Sequence, residues 1–345
     1  MFTPKSLYES TILYIVKHIE LYTFNADAQN HWALSFSQLT PSMRFDIIWE
    51  LYQSTKNGSK VLLEQVLQDI DTVMELLQLG NNRIKLHMIF EDVQKHSLSD
   101  EHISHKIALA FASRTQRQRG QTSTFQLRKS GYNLASFLSD GGWYMAAETV
   151  LNATKDVDEA LLRQTDEINH YKHCQRMKLE TETQLLHIYS EYRHFELADE
   201  VFSSICDKKL KNTDCIEGLN LSAVYSEFSN YCYSKSLYRE AYDWGLKAVL
   251  SLTADVPTRV VIDVLRQAGK ASVLRRQFPK AEILLREALL RARDVYGENH
   301  LKYADCMVDY AFYLLNVDGV MKSVQAYEKA LSVSSLTLTF FKLIL

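Results

Sequence analysis

One short unit recurs from residue 131 onward and constrains the fold more than any other feature of the sequence. In each copy, an aromatic or apolar residue follows a turn, and a small residue stands three positions later. The small residues are Ala147, Ala198, Ala241, Ala281 and Ser323, which lie 51, 43, 40 and 42 residues apart. A repeat of roughly 40 residues indicates one supersecondary unit stacked several times along the chain.

The residue types explain how such a unit would pack. A small residue near the start of a second helix lets its backbone approach the first helix, while larger neighbours fill the groove between them. The larger residues are Tyr144, Phe195, Tyr238, Phe278 and Val320. Each hairpin alone leaves an apolar face uncovered, so stacking supplies stability. The pattern predicts an all-α, tetratricopeptide-like α-solenoid. The alternative is a chance match among unrelated amphipathic helices, and five copies at similar spacing argue against it.

Composition agrees with a helical, non-membrane chain. Only 4 prolines and 11 glycines occur among 345 residues, of which 46% are hydrophobic, so helix should dominate. The net charge of −3 provides no global attraction for nucleic acid or anionic lipid. The sequence has no apolar run long enough for a membrane span and no secretion signal at its start. We expect a cytoplasmic or nuclear protein.

Signatures of chemistry are missing from the sequence. We find no nucleophile elbow, glycine-rich phosphate loop or HExxH motif, and the five cysteines form no CxxC pair. Two clusters have metal-ligand spacing but no matching second pair, and ordinary packed or solvated side chains explain them better. These clusters are His102 with His105, and His170 with His173 and Cys174. We expect no metal, no cofactor and no enzymatic activity.

The chain divides into four stretches by composition and pattern. Residues 1–55 form N-terminal helices, 56–130 a helical region that ends in a basic loop, 131–331 five repeats, and 332–345 an aberrant apolar tail. The basic residues are Lys106, Arg114, Arg117, Arg119, Arg128 and Lys129. A solvated loop explains them best; contact with a phosphate or an acidic partner is the alternative.

The first helices of stacked hairpins commonly form a curved inner surface that binds an extended peptide. Five side chains on predicted first helices are candidates for peptide binding, although each could equally be a surface residue between helices. They are Tyr225, Asn230, Tyr233, Arg266 and Lys270.

Four blocks of the sequence resemble the family of amyloid protein-binding protein 2. They are FLSDGGWYMAAETVL (137–151), residues 260–297 around LRQAGKA, residues 310–331 around FYLLNVD, and RFDIIWELYQ (44–53). The resemblance implies a substrate receptor of a cullin-RING ubiquitin ligase that reads C-terminal degrons containing Arg and Gly. It also implies a link to transport of the amyloid precursor protein and to microtubules. The repeats are similar to those of kinesin light chains as well.

Receptors of that ligase class recruit elongin B–elongin C through a helix with Ser or Thr, then Leu, a small residue four positions on, and an aliphatic residue four further. The resemblance therefore assigns an elongin-box-like role to Ser6, Leu7, Thr11 and Ile15. Ser6 can cap this helix. An N-terminal helix packed on the following helices is the alternative.

A cullin-selecting element should follow, usually with a Leu-Pro start. The candidates are Leu39, Pro41, Phe45, Ile48 and Leu51. The proline stands one residue later than the pattern requires, and a proline that merely opens a helix is the alternative.

The resemblance also indicates a C-terminally truncated product. After residue 331 the family continues with further repeats, whereas this chain reads SVSSLTLTFFKLIL. Two functions remain open: a non-catalytic ubiquitin-ligase receptor, and a transport adaptor that joins the amyloid precursor tail or a similar cargo to microtubule machinery, which would be associated with the cytoskeleton.

Overall fold

The computed structural model describes residues 6–22, 36, 38–54, 57–79, 82–96, 102–117, 124–164, 168–208 and 220–337. These residues form sixteen α-helices, and no strand occurs among them. The chain divides into two compact units, Met1–Ala160 and Leu161–Leu345.

The first unit holds seven of these helices and most of an eighth, which continues four residues past Ala160. They are α1 (Leu7–Tyr22), α2 (Pro41–Gln53), α3 (Asn57–Gln68), α4 (Ile70–Leu77), α5 (Arg83–His96), α6 (Ile103–Arg117), α7 (Thr124–Asp140) and α8 (Tyr144–Gln164). Helix α1 packs on α2, and α2 in turn contacts α3, α4 and α5. Large side chains with no exposed surface form the core between the helices, among them Ile47, Ile48, Phe90, Phe111 and Phe137.

One polar residue divides an amphipathic stretch that reads as a single helix in the sequence. Asp69 lies between α3 and α4 and caps α4, because its carboxylate accepts a hydrogen bond of 3.1 Å from the Thr72 backbone N–H. A second bond of 2.6 Å from the Thr72 hydroxyl fixes the same carboxylate. Asp is a favoured N-cap residue, so the chain starts a new helix there.

The second unit holds four helical hairpins in succession. They pair α9 (Ile168–Glu191) with α10 (Phe195–Lys208), α11 (Leu221–Ser234) with α12 (Tyr238–Leu250), α13 (Thr258–Leu274) with α14 (Phe278–Tyr296), and α15 (Leu301–Asn316) with α16 (Val320–Thr337). The first helix of each hairpin contacts the first helix of the next, so that α9, α11, α13 and α15 form a row. Because each hairpin packs on its neighbour, the unit has the architecture of a solenoid.

The turns inside the hairpins repeat in detail. Each has one residue with positive φ, and the next residue donates its backbone N–H to the carbonyl five positions earlier, at 2.8–2.9 Å. This is the Schellman closure of a helix C-terminus. The residues with positive φ are Gly142, Arg193, Ser236, Arg276 and Asp318. The first of these turns joins α7 to α8 in the first unit.

The small residues of the repeat lie where the two helices of a hairpin meet. Ala147, Ala198, Ala241 and Ala281 have no exposed surface, and Ser323 is 2% exposed. The Ser323 hydroxyl donates 2.8 Å to the Ala311 carbonyl across the hairpin. The larger residues three positions earlier begin α8, α10, α12, α14 and α16. The predicted all-α, tetratricopeptide-like solenoid is therefore confirmed.

The predicted basic loop is in part helical. Arg114 and Arg117 lie in the last turn of α6, where positive charge is favourable near the carbonyl end of a helix. Arg128 and Lys129 lie on α7, and Arg128 is buried because its guanidinium pairs at 3.3 Å with the fully buried Asp158. Lys106 lies 3.8 Å from Glu64. Arg119 lies outside the described residues.

The predicted apolar tail begins inside a helix, because α16 continues through Thr337. Residues 338–345 lie outside the described part of the chain. Among the helices that the structure describes, none combines the length and apolar character needed to cross a bilayer.

Candidate protein-interaction surfaces

Helix α1 begins with a reciprocal cap. The Ser6 hydroxyl accepts a 3.2 Å hydrogen bond from the Glu9 backbone N–H, and the Glu9 carboxylate accepts 2.8 Å from the Ser6 backbone N–H. This is a capping box, which satisfies two backbone donors at once. Ser6 therefore caps the helix as the sequence predicts, and its role is to fix where the helix begins.

One side of α1 is anchored on α2. Ile12 and Val16 are buried, and the Tyr8 hydroxyl donates 2.6 Å to the Asp46 carboxylate on α2. Hydrogen bonding to this carboxylate, together with burial and the negative charge, raises the pKa of Tyr8 to about 12. A polar and an apolar anchor together fix the rotation of α1 about its own axis.

The remaining elongin-box-like residues lie on the other sides of α1. Leu7 is 87% exposed, Thr11 is exposed and Ile15 is half-buried. The Thr11 hydroxyl donates 2.8 Å to the Leu7 carbonyl within the helix, so its polar group already has a partner. Tyr14, which the sequence pattern did not single out, is 63% exposed. The N-terminal helix therefore presents an apolar face to solvent.

The cullin-box-like residues lie mostly in the core. Phe45, Ile48 and Leu51 are buried in the first unit, whereas Leu39 and Pro41 are half-buried at the start of α2. Pro41 is the first residue of the helix, where its missing N–H costs no helical hydrogen bond. Helix packing covers the side chains of Phe45, Ile48 and Leu51 in this structure, and their contact with a partner stays a prediction.

In the second unit, the row of α9, α11, α13 and α15 forms what we call the first-helix surface. Polar contacts join each of these helices to the next. Asn230 donates 3.0 Å to Glu191, and the Lys270 ammonium lies 5.2 Å from the centre of the Tyr233 ring. Four of the five peptide-binding candidates, Asn230, Tyr233, Arg266 and Lys270, therefore bridge neighbouring first helices.

Arg266 has the most highly charged surroundings on this surface. Its guanidinium donates 2.7 Å to the Asp309 carboxylate and lies 3.6 Å from Asp305 and 3.9 Å from Asp263. Lys302 lies 3.4 Å from Asp263. The side chains of Asp263 and Asp305 keep about a third or more of their surface exposed. Three carboxylates therefore converge on one arginine; Asp309 is buried, whereas Asp263 and Asp305 remain partly open to solvent.

Charged residues on α9 and α11 were not among the predicted candidates. His187 lies 2.9 Å from Glu227 through its Nδ1 atom. Burial opposes protonation of His187, but the charge and hydrogen bond of Glu227, with a contribution from Glu191, raise its pKa to about 9. The repeat register could have found this residue, because His187, Asn230 and Lys270 each lie eleven positions before the small residue of their repeat.

Tyr225 differs from the other predicted candidates because it faces the second helix of its own hairpin. Its ring stacks on Trp244 of α12, with centroids 5.4 Å apart, and lies 6.4 Å from Phe228. Tyr225 is half-buried and takes part in hairpin packing, and its contact with a peptide stays a prediction.

The described histidines and cysteines were the candidates for a metal site. Within the described ranges, no group of three or more His, Cys, Asp or Glu side chains could hold a metal ion. Cys174, Cys232 and Cys306 are buried thiols. Burial raises the pKa of Cys232 and of Cys306 to about 12, so both are neutral and poorly nucleophilic near pH 7.

The fold and its surfaces define the class: an all-α solenoid of tetratricopeptide-like hairpins preceded by a helix with one open face. Two curated relatives share the name amyloid protein-binding protein 2. The protein of Mus musculus is 33% identical over 300 residues, which make up 86% of this chain and 48% of the relative. The protein of Rattus norvegicus is 32% identical over 300 residues, which again make up 86% of this chain and 48% of the relative. The resemblance to this family is thereby confirmed.

The chain spans about half the length of the curated relatives it matches. No family model matches the chain.

Proposed function

We propose that this chain is a non-catalytic substrate-recognition subunit of a cullin-RING ubiquitin ligase and that α1 binds the elongin B–elongin C adaptor. The observation that carries the proposal is the exposure of Leu7, at 87%, on a helix that is capped and anchored on its opposite side. A helix with one apolar face in solvent has the form of a ligand for a hydrophobic groove.

The chemistry of the exposed residues supports this form of binding. Full burial of a leucine side chain contributes about 2 kcal/mol, so a leucine in solvent at the first turn represents binding energy that the free chain does not use. Thr11 is small, and its hydroxyl is already satisfied by the Leu7 carbonyl. A partner can therefore cover Thr11 without leaving a polar group unpaired.

The second unit would hold the substrate on its first-helix surface. Degrons that contain arginine would meet the partly exposed carboxylates of Asp263 and Asp305, since carboxylates bind a guanidinium through charge-assisted hydrogen bonds. The receptor itself needs no catalytic group, because it would act by bringing a substrate close to the ubiquitin-conjugating enzyme. A cullin contact would involve the half-buried start of α2 at Leu39 and Pro41.

Co-purification of the full chain with purified elongin B–elongin C tests the proposal. We expect the unmodified chain to retain the adaptor and Leu7→Ser to lose it while keeping its helical circular dichroism spectrum. Leu250→Ser is the matched control, because Leu250 is 82% exposed on α12 in the other unit. Absence of binding by the unmodified chain, or equal loss in both variants, would refute the adaptor role.

A second function is favoured by the name of the relatives, which describes them as amyloid protein-binding. In this alternative, the solenoid would carry the amyloid precursor tail or a similar cargo toward microtubules, in the cytoplasm or at the cytoskeleton. Titration with a synthetic peptide of that tail distinguishes the two functions. The alternative predicts peptide binding that is independent of Leu7 and sensitive to changes on the first-helix surface.

A further inference from the structure

The elongin-box-like motif names Leu7, Thr11 and Ile15. On the exposed face of α1, however, Tyr14 follows Leu7 and Thr11. A helix turns about 100° per residue. Measured from Leu7, the positions of Thr11, Tyr14 and His18 lie within about 40° of the same direction. Leu7 and Tyr14 are 87% and 63% exposed. We call these four residues the outer stripe.

The anchored side of α1 lies opposite this stripe. Ile12 and Val16 lie about 140° and 180° from Leu7, and both are buried. Tyr8, at about 100°, reaches sideways to Asp46 on α2. Ile15 lies at about 80°, on the flank between stripe and anchor, which agrees with its half-buried state.

Tyr14 is also held in place by its neighbour. The rings of Tyr14 and His18, one turn apart, have centroids 4.1 Å apart. A ring that already rests on a second ring loses less rotational freedom when a partner covers it. The two ring planes are tilted by 51°, and the pair forms an aromatic surface one turn beyond Thr11.

We infer that Tyr14, and not Ile15, is the third contact of α1 with the protein it binds. The inference rests on the proposed adaptor role and specifies which residues perform it. Leu7 inserts into an apolar pocket, Thr11 allows close approach, and the ring of Tyr14 covers the far end of the groove. Ile15 supports α1 from the flank.

The same geometry indicates the chemistry of the partner's groove. Its first part is a closed apolar pocket of leucine size, and its far end is a flatter apolar wall that can receive an aromatic ring. Lys17 is exposed beside Tyr14, so a carboxylate at the rim of the groove would complement it. Aromatic residues carry a large share of binding energy at interfaces, so replacement of Tyr14 should have a large effect.

Calorimetric titration of the full chain with purified elongin B–elongin C tests the inference. We expect Tyr14→Ser to raise the Kd at least tenfold, and Tyr14→Phe and Ile15→Val to change it less than twofold. Tyr171→Ser is the matched control, because Tyr171 is 46% exposed on α9 in the other unit. The helical circular dichroism of each variant should equal that of the unmodified chain.

The outcomes separate this inference from the proposal on which it rests. If Leu7→Ser abolishes binding while Tyr14→Ser binds as the unmodified chain does, the role of Tyr14 is wrong and the adaptor role stands. If Ile15→Val weakens binding more than Tyr14→Ser does, the motif residue is the third contact and the inference is overturned. If the unmodified chain does not bind, both are overturned.

Discussion

Helices α1 and α13 have 16 and 17 residues and are both amphipathic, yet they have very different surroundings. Helix α13 is enclosed by its hairpin partner α14, by α12 of the preceding hairpin, and by α11 and α15 of the row. Among the described residues, helix α1 packs on α2 through one side and leaves Leu7 and Tyr14 exposed. Similar amphipathic patterns can therefore specify either a structural element or a binding element.

The difference predicts how each region responds to change. A destabilising substitution inside the solenoid should lower the stability of several hairpins together, because neighbouring repeats share their interfaces. A substitution that weakens the contact of α1 with α2 should have a local effect, because few other contacts depend on it.

The largest expected effect comes from Arg266 in the solenoid. Arg266→Leu leaves the carboxylate of Asp309, which is 8% exposed, without its partner at 2.7 Å. We expect a loss of about 3 kcal/mol in the free energy of unfolding, measured by urea denaturation. Arg286→Leu is the control, since that arginine is 63% exposed beside Glu282 and should cost less than about 0.5 kcal/mol. Equal losses of stability in Arg266→Leu and Arg286→Leu would mean that burial of the Arg266–Asp309 pair does not determine its contribution.

The pair of His187 and Glu227 should make the second unit sensitive to pH. The pKa of His187 is about 9 in the fold against 6.5 for an ordinary histidine, so its contribution is complete below pH 6.5 and is lost as the pH rises through 9. Glu191 and Lys302 also act on this histidine. We expect a fall on the order of 2 kcal/mol between these pH values.

Urea denaturation at a series of pH values measures this fall. His187→Gln should flatten the dependence, because it removes the group that titrates. A rise in stability over this pH range would contradict the assignment.

A smaller and local effect is expected at the anchor of α1. Tyr8→Phe removes the 2.6 Å hydrogen bond to Asp46, which is partly open to water and should contribute about 1 kcal/mol or less. Hydrogen exchange should accelerate at the amides of α1 and remain unchanged in α9–α16. Tyr14→Phe should have no such effect on the free chain. Accelerated exchange throughout the second unit would contradict the local character of this anchor.

The smallest expected effect concerns a turn of the solenoid. Arg276 has a φ of 55°, a conformation that costs a non-glycine residue about 1 kcal/mol. Arg276→Gly removes this cost but makes the unfolded chain more flexible, so the net gain in stability should be below about 1 kcal/mol. Arg275→Gly, one residue earlier at a φ of −86°, should lower stability instead. A greater loss in Arg276→Gly than in Arg275→Gly would refute this reasoning.

The sequence was most informative where one physical requirement recurs. Each hairpin needs a small residue at the closest approach of its helices, so positions such as Ala198 and Ala281 could be recognised from spacing alone. Side-chain exposure was harder to predict. Phe45 and Ile48 match a partner-binding pattern but fill the core, and Tyr225 packs on Trp244, because burial depends on which helices surround a position.

In α1, too, the sequence motif could not predict which side chains are exposed. Spacing of four residues placed Leu7, Thr11 and Ile15 in one row, but such a row drifts by about 40° with each step around a helix. The anchors at Tyr8 and Ile12 determine which part of the row reaches solvent, and these contacts with α2 cannot be read from the spacing of α1.

Hydrogen exchange of the full chain, with and without purified elongin B–elongin C, tests the central claim most directly. The claim is that α1 is a binding element and that α13 and its neighbours are structural. We predict slower exchange at the amides of α1 on addition of the adaptor and unchanged exchange in α9–α16. Unchanged exchange in α1, or protection that appears only in the solenoid, would contradict the claim.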